Sequence, residues 1–130
     1  MSAKARIARA RSLLGTPFRL QGRAVDTGLD CVGLIALVFE KAADVPCDYA
    51  LRNTQLARWT ALLDVHFERR GTTPEAADIL LMQAGPAQFH LGLWTGQSLI
   101  HADAAQRRTV ERALPLPWPV LGAWFTKEDS

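Results

Sequence analysis

The spacing of apolar residues changes period near the middle of the chain. Ile7, Ala10, Leu13 and Leu14 recur at helical spacing, and Lys4, Arg6, Arg9 and Arg11 lie largely off that face. This pattern predicts a helix from Ala3 to Leu14, stopped by Gly15 and Pro17. A second stripe of Leu34, Ile35, Val38, Phe39 and Ala42 predicts a helix from Cys31 to Ala43, capped by Asp30 and closed off by Pro46. A third, with Leu56, Trp59, Leu62 and Leu63 inward, predicts a helix from Thr54 to Asp64. The stretch from Gln21 to Leu29 is rich in glycine and polar residues and reads as a loop. Further on, short β-rich runs replace the helical period: Ile79–Met82, His90–Trp94, Ser98–His101, Thr109–Arg112 and Val120–Phe125. Helices first and strands second predict an α+β fold, with N-terminal helices packed on a C-terminal antiparallel sheet.

At 130 residues and 48% hydrophobic content, the chain has material for one core and is read as a single domain over 1–130. A charged fraction of 22% together with four tryptophans argues against disorder. The net charge of +2 is spread out, with no basic block, so no nucleic-acid partner is expected. The longest apolar run, around Val32–Phe39, is too short to cross a bilayer, so no membrane insertion is expected either. Met1 to Leu14 interleaves arginine with alanine and leucine and has no apolar core before a cleavage site. The expectation is synthesis in the cytoplasm without a signal peptide.

The chemistry concentrates on a cysteine and two histidines. The chain has two cysteines, Cys31 and Cys47, which form neither a disulfide framework nor a C-x-x-C pair. Cys47 follows Pro46 in a predicted loop with no histidine nearby in sequence, and is expected to be dispensable. Cys31 falls at a helix start, where free N–H groups and the macrodipole favour an anion. The dipole supplies about 0.3–1 kcal/mol, less than the roughly 1.36 kcal/mol of one pKa unit. A neighbouring imidazolium must therefore supply the rest of any thiolate stabilisation. Of the three histidines, His66 lies among Val65, Phe67 and Glu68 and reads as an edge position. His90 and His101 sit at the ends of two short runs joined by the turn Thr95-Gly96-Gln97-Ser98. Hairpin neighbours bring two such rings onto one face, where one acts as base and the other orients it. The same constellation also fits a thiol amidase or acyltransferase, or a structural adaptor with a vestigial site, and two further readings of these residues remain open. One is zinc held by Cys31, His90 and His101 with water, although the spacing contains no close ligand pair. The other is an inert buried cysteine with structural histidines.

At these residues the sequence resembles the NlpC family of papain-like cell-wall cysteine peptidases, especially its phage-tail branch. The matching blocks are Leu14-Gly15-Thr16-Pro17-Phe18, Gly28-Leu29-Asp30-Cys31-Val32-Gly33-Leu34, Ala77-Asp78-Ile79, His90-Leu91-Gly92-Leu93 and Ile100-His101-Ala102, with a similar ending from Val110 to Phe125. The resemblance implies a papain-like fold, Cys31 as nucleophile, His90 as base and His101 as its orienting residue, with no cofactor and no metal. It implies hydrolysis of peptidoglycan stem peptide, typically between γ-D-Glu and the diamino acid. It also implies partners among phage or phage-like tail-tip proteins, and action from the virion tail in the recipient periplasm. Phe18, Asp30 and Val32 fall on the substrate-binding side. Phe18 stands where relatives often have Tyr, and Val32 where they often have Ser, so altered stem-peptide specificity is expected. Two stretches are candidates for docking onto a tail: the Lys4, Arg6, Arg9 and Arg11 face, and the segment from Pro115 to Trp124.

Overall fold

The computed structural model describes residues 1–41, 44–45, 54–71 and 73–127. Helix α1 spans Ala3–Ser12 and starts where the Ser2 side chain accepts a hydrogen bond from the Ala5 N–H at 3.1 Å. Of the basic residues expected on its outer face, Arg6 alone turns inward, while Arg11 stays exposed. Arg6 is buried: its guanidinium donates to the Val38 carbonyl at 2.7 Å and lies 4.7 Å from the Phe39 ring centroid. Arg9 is bonded to Glu40 and Arg11 to both carboxylate oxygens of Glu111. Arg6 thereby satisfies a carbonyl that the end of the next helix leaves open.

That helix, α2, spans Cys31–Val38, and seven of its eight residues are buried. It ends earlier than the expected Ala43, at a residue that sequence rules do not flag. Glu40 adopts φ 60°, its N–H bonds the Leu37 carbonyl, and the Lys41 N–H reaches back to the Ala36 carbonyl at 2.7 Å. This is a Schellman closure with glutamate where glycine is usual. Ala42, Ala43, Pro46 and Cys47 lie outside the described residues. Helix α3 spans Leu56–His66 and buries Trp59 and Leu63, while Leu56, expected inward, is 41% exposed.

Two short strands, β1 (Arg23–Ala24) and β2 (Gly28–Leu29), pair within the predicted loop between α1 and α2. The main sheet follows α3. Its strands are β3 (Glu68–Arg69), β4 (Ile79–Gly85), β5 (Gln88–Trp94), β6 (Ser98–Asp103), β7 (Arg108–Ala113) and β8 (Val120–Phe125). They lie in the order β3-β8-β4-β5-β6-β7, and every pairing between them is antiparallel. The architecture is thus the expected α+β one. Ile79, Leu81, Leu91, Leu93 and Ile100 join the helices in one core cluster. Leu80, Met82, Leu99 and Ala123 face the other way, under Leu116 and Trp118. The alternation of these two sets along β4 is the period-two signature of a strand buried on both faces.

Three details fix the sheet around the site. Asp78, buried at the start of β4, takes two hydrogen bonds from Arg70 at 2.8 and 2.9 Å and one from the Glu75 N–H. The chain after α1 covers the edge of β7: the Gly15 N–H bonds the Thr109 carbonyl, and the Thr109 N–H bonds the Thr16 carbonyl, both at 2.9 Å. Strands β5 and β6 pair only at Leu93 with Ile100 and Trp94 with Leu99, so they part toward His90.

Candidate active site

On the helix side, Asp30 is the N-cap of α2. Its Oδ1 accepts from the Gly33 N–H at 2.8 Å and from the Arg23 guanidinium at 2.9 Å, and its Oδ2 accepts from the Gln21 N–H at 2.9 Å. The Arg23–Asp30 pair is almost fully enclosed, with side chains 11% and 4% exposed. Gly33 is required by the close approach of the preceding loop, since a Cβ there would sit 2.0 Å from the Gly22 carbonyl oxygen. The Asp-Cys-x-Gly block therefore has a physical meaning. Aspartate caps the helix, glycine admits the loop, and Cys31 is held between them at the first helical position.

On the sheet side, His90 and His101 come from adjacent strands and share one face. His90 is opposite Met82, and His101 follows the Leu99 register, so both rings lie on the side covered by Leu116 and Trp118. His90 Nε2 and His101 Nδ1 are 2.9 Å apart. Two zinc-bound imidazole nitrogens at Zn–N distances of about 2.0–2.1 Å in tetrahedral geometry would stand about 3.4 Å apart. The observed separation is that of a direct hydrogen bond. Gly92 lies between them in sequence, where a Cβ would meet the Leu99 side chain at 2.5 Å. The His-x-Gly spacing thus lets Leu99 close over the strand.

The two sides meet where β5 and β6 part. The Trp94 N–H bonds back to the Asp78 carbonyl on the β4 side, so the Leu91 N–H, an odd number of residues away, faces β6. Pairing with β6 has already ended there, and that N–H is directed at the Cys31 sulfur, as is the Val32 N–H. The nucleophile candidate thus touches the residue that follows His90.

The protonation state of this group differs from the sequence expectation of a thiolate assisted by an imidazolium. Cys31 is 5% exposed. Burial, reinforced by the negative charge of Asp30, pushes its thiol up to about 12. The Leu91 and Val32 N–H groups and Arg23 oppose this shift without cancelling it. Burial also lowers His90 to about 3, with His101 adding to the effect and Asp103 opposing it. His101 is lowered by burial and by Arg112, again against Asp103. The helix start lies inside the core, where the cost of desolvating a charge exceeds the dipole's contribution. Both shifts favour a neutral thiol and neutral imidazoles at rest.

Phe18 is half-buried; its N–H bonds the Arg107 carbonyl, and it forms a bridge with Leu29 beside the helix start. Val32 is 2% exposed and lines a small apolar void of about 20 Å³ with Ile35, Leu63 and Leu91. Asp30 spends both oxygens on protein N–H groups. His66 is half-buried at the end of α3, away from the paired histidines. Among the described residues no group of three histidine, cysteine or acidic side chains has the geometry of a metal site. Two participants escaped the sequence reading. Arg23 lies in a polar loop with no spacing signal. Trp118 sits in a proline-rich segment whose placement over the histidines depends on tertiary packing.

No protein-family model matches this sequence, and no curated protein matches it. Solved structures do. The NlpC/p60 domain of the peptidoglycan hydrolase SagA superposes with a TM-score of 0.67 at 19% identity, covering 97% of this chain and 100% of that one. The fold is that of NlpC/P60 domains. NlpC1 from Trichomonas vaginalis gives 0.69 at 18% identity over 95% of this chain and 45% of its own. The peptidoglycan hydrolase RipB from Mycobacterium tuberculosis gives 0.60 at 18% identity, over 95% and 63%. The chain therefore spans less than half the length of NlpC1 and the whole of the SagA domain. The papain-like α+β architecture expected from the sequence is the one observed.

Proposed function

We propose that the chain is a thiol hydrolase of peptidoglycan stem peptides. One observation carries the reading: His90 and His101 are 2.9 Å apart, and the residue after His90, Leu91, turns its backbone N–H to a cysteine at a helix start. In this scheme His101 occupies His90 Nε2, leaving Nδ1 to take the Cys31 proton as Sγ attacks the carbonyl carbon. His90 Nε2 must then carry its own hydrogen and donate it to His101 Nδ1. The Cys31 N–H in the first turn, free of intrahelical bonds, is a donor for the developing oxyanion. As the C–N bond breaks, His90 returns the proton to the departing amine and leaves a thioester. Water, deprotonated by His90, then releases the carboxylate and restores the thiol.

The finer assignments belong to the same proposal. The bond cut is that between γ-D-Glu and the diamino acid, and delivery is by a phage or phage-like tail. Support comes from the blocks around Cys31, His90 and His101 and from the ending through Phe125. No described helix is long and apolar enough to cross a membrane. A second reading, a tail-tip adaptor with an idle site, is favoured by the enclosure of Cys31. Digestion of purified peptidoglycan with mass analysis of the fragments separates the two. Fragments with new γ-D-Glu termini, absent with a folded Cys31→Ala variant, are the expected result. Equal cleavage by that variant overturns the thiol mechanism, and no cleavage by either leaves the adaptor.

A further inference from the structure

His101 is fully buried, and its Nε2 has no hydrogen-bond partner among the described residues. A buried polar nitrogen left unpaired costs about 1–3 kcal/mol, so its surroundings have to be accounted for. The aromatic neighbours of the ring are His90 and the Trp118 indole. The Trp118 ring centroid is 5.4 Å from that of His101 at an interplanar angle of 89°, and 5.1 Å from that of His90 at 69°. The two histidines are themselves edge-on, at 5.0 Å and 89°. Three aromatic rings thus form one perpendicular cluster, and Trp118 also packs on the Leu80, Met82 and Leu99 face.

The unpaired nitrogen bears on the tautomer. A neutral imidazole carries hydrogen on one nitrogen and a lone pair on the other. If His101 Nδ1 accepts from His90, Nε2 must bear hydrogen, and a donor can rest against an aromatic π face. If Nδ1 donates instead, Nε2 is a bare lone pair, which an aromatic face repels. The charged groups that act on the histidines from neighbouring strands are Asp103 on β6 and Arg112 on β7. Neither is bonded to this nitrogen.

We propose that Trp118 is a positioning residue whose indole selects the His101 tautomer with hydrogen on Nε2, so that Nδ1 is free to accept from His90. This rests on the reading of His90 as base, because that tautomer leaves His90 Nδ1 without hydrogen, as the proposed transfer from Cys31 requires. Trp118 acts through His101 and transfers no proton itself. Its effect on turnover is correspondingly modest, about two- to fivefold.

The test is nitrogen-15 NMR of the histidine side chains in the intact protein, which needs no hydrolysis assay. In the wild type, His101 should show hydrogen on Nε2, with an Nε2–H resonance displaced by the indole ring current. Trp118→Phe should keep this tautomer and most of the turnover, because it keeps a π face. Trp118→Leu should mix the tautomers, raise the histidine titration points as water enters, and shift the acid limb of the pH–kcat profile with little change in KM. Hydrogen on Nδ1 of wild-type His101 overturns the proposal without any variant. An unaltered tautomer and titration in folded Trp118→Leu does the same. Absence of peptidoglycan cleavage by the wild type, or equal cleavage by Cys31→Ala, with a normal His101 tautomer would instead remove the thiol-hydrolase reading and leave the positioning of His101 by Trp118 intact.

Discussion

The two halves of the site are held in contrasting ways. On the helix side, Asp30 accepts from Gly33, Arg23 and Gln21. On the sheet side, two neutral imidazoles share one hydrogen bond, one ring nitrogen has no hydrogen-bond partner among the described residues, and the Trp118 indole packs edge-on to both rings. The helix half is a clamp built from a capping carboxylate and an enclosed ion pair. The sheet half is a relay in which His90, held by His101, takes up and returns a proton on the proposed mechanism. Clamp residues should therefore affect stability first and relay residues turnover first.

The largest effect expected on turnover falls on the relay. His90→Ala should reduce hydrolysis about 10²–10⁴-fold with little change in the urea midpoint. His101→Gln should be milder, since its side-chain amide can still accept from His90. Equal losses in the two variants would mean that their roles are exchanged. On the clamp, Asp30→Ala leaves Arg23 buried without its carboxylate and removes the helix cap. A loss of about 3–5 kcal/mol in urea unfolding is expected, and a loss below about 1 kcal/mol would show that the clamp is not holding.

Protonation sharpens the comparison. With the Cys31 thiol pushed up to about 12, its alkylation should quicken about tenfold per pH unit from pH 7 to about 11. A rate that is level from neutral pH down to about pH 5 would reveal a resting thiolate–imidazolium pair instead. Stability follows from the same shifts. Above the ordinary thiol value of 9.0 the unfolded chain loses the Cys31 proton first, so stability falls as pH rises from there toward about 12. As pH falls from 6.5 toward about 3, the unfolded chain gains the His90 proton first, and stability falls again. His90→Phe should flatten the acid side of a plot of urea midpoint against pH, and Cys31→Ala the alkaline side.

The smallest effect is expected at Phe18. Phe18→Tyr restores a hydroxyl beside the helix start and should change the preference between stem peptides with and without a free amine by about 0.5–1.5 kcal/mol. An unchanged ratio removes Phe18 from the specificity determinants.

Much of this arrangement is legible in the sequence because it is periodic or local. The Ile7, Ala10 and Leu13 stripe, the Asp30 cap, and the hairpin placing His90 and His101 on one face each follow from spacing alone. What escaped depends on depth and distance. Glu68 and Arg69 are exposed and carry no apolar alternation, so β3 left no trace in the pattern. The end of α2 rests on Glu40 in a conformation usually reserved for glycine. Arg6 reads as a surface residue until Val38 and Phe39 are brought to it. The neutral state of Cys31 arises because a core closes around the helix start, and no one-dimensional pattern reports that.

The enclosure of Cys31 also has a consequence for its durability. Oxidants and disulfides react with the thiolate, and the fraction of that form at neutral pH falls as the thiol value rises. A sulfur kept protonated and 5% exposed presents little of it to either. The fold thus protects the sulfur from peroxide and from mixed-disulfide formation. On the proposed mechanism its reactivity is released only when a bound carbonyl and His90 are both in place.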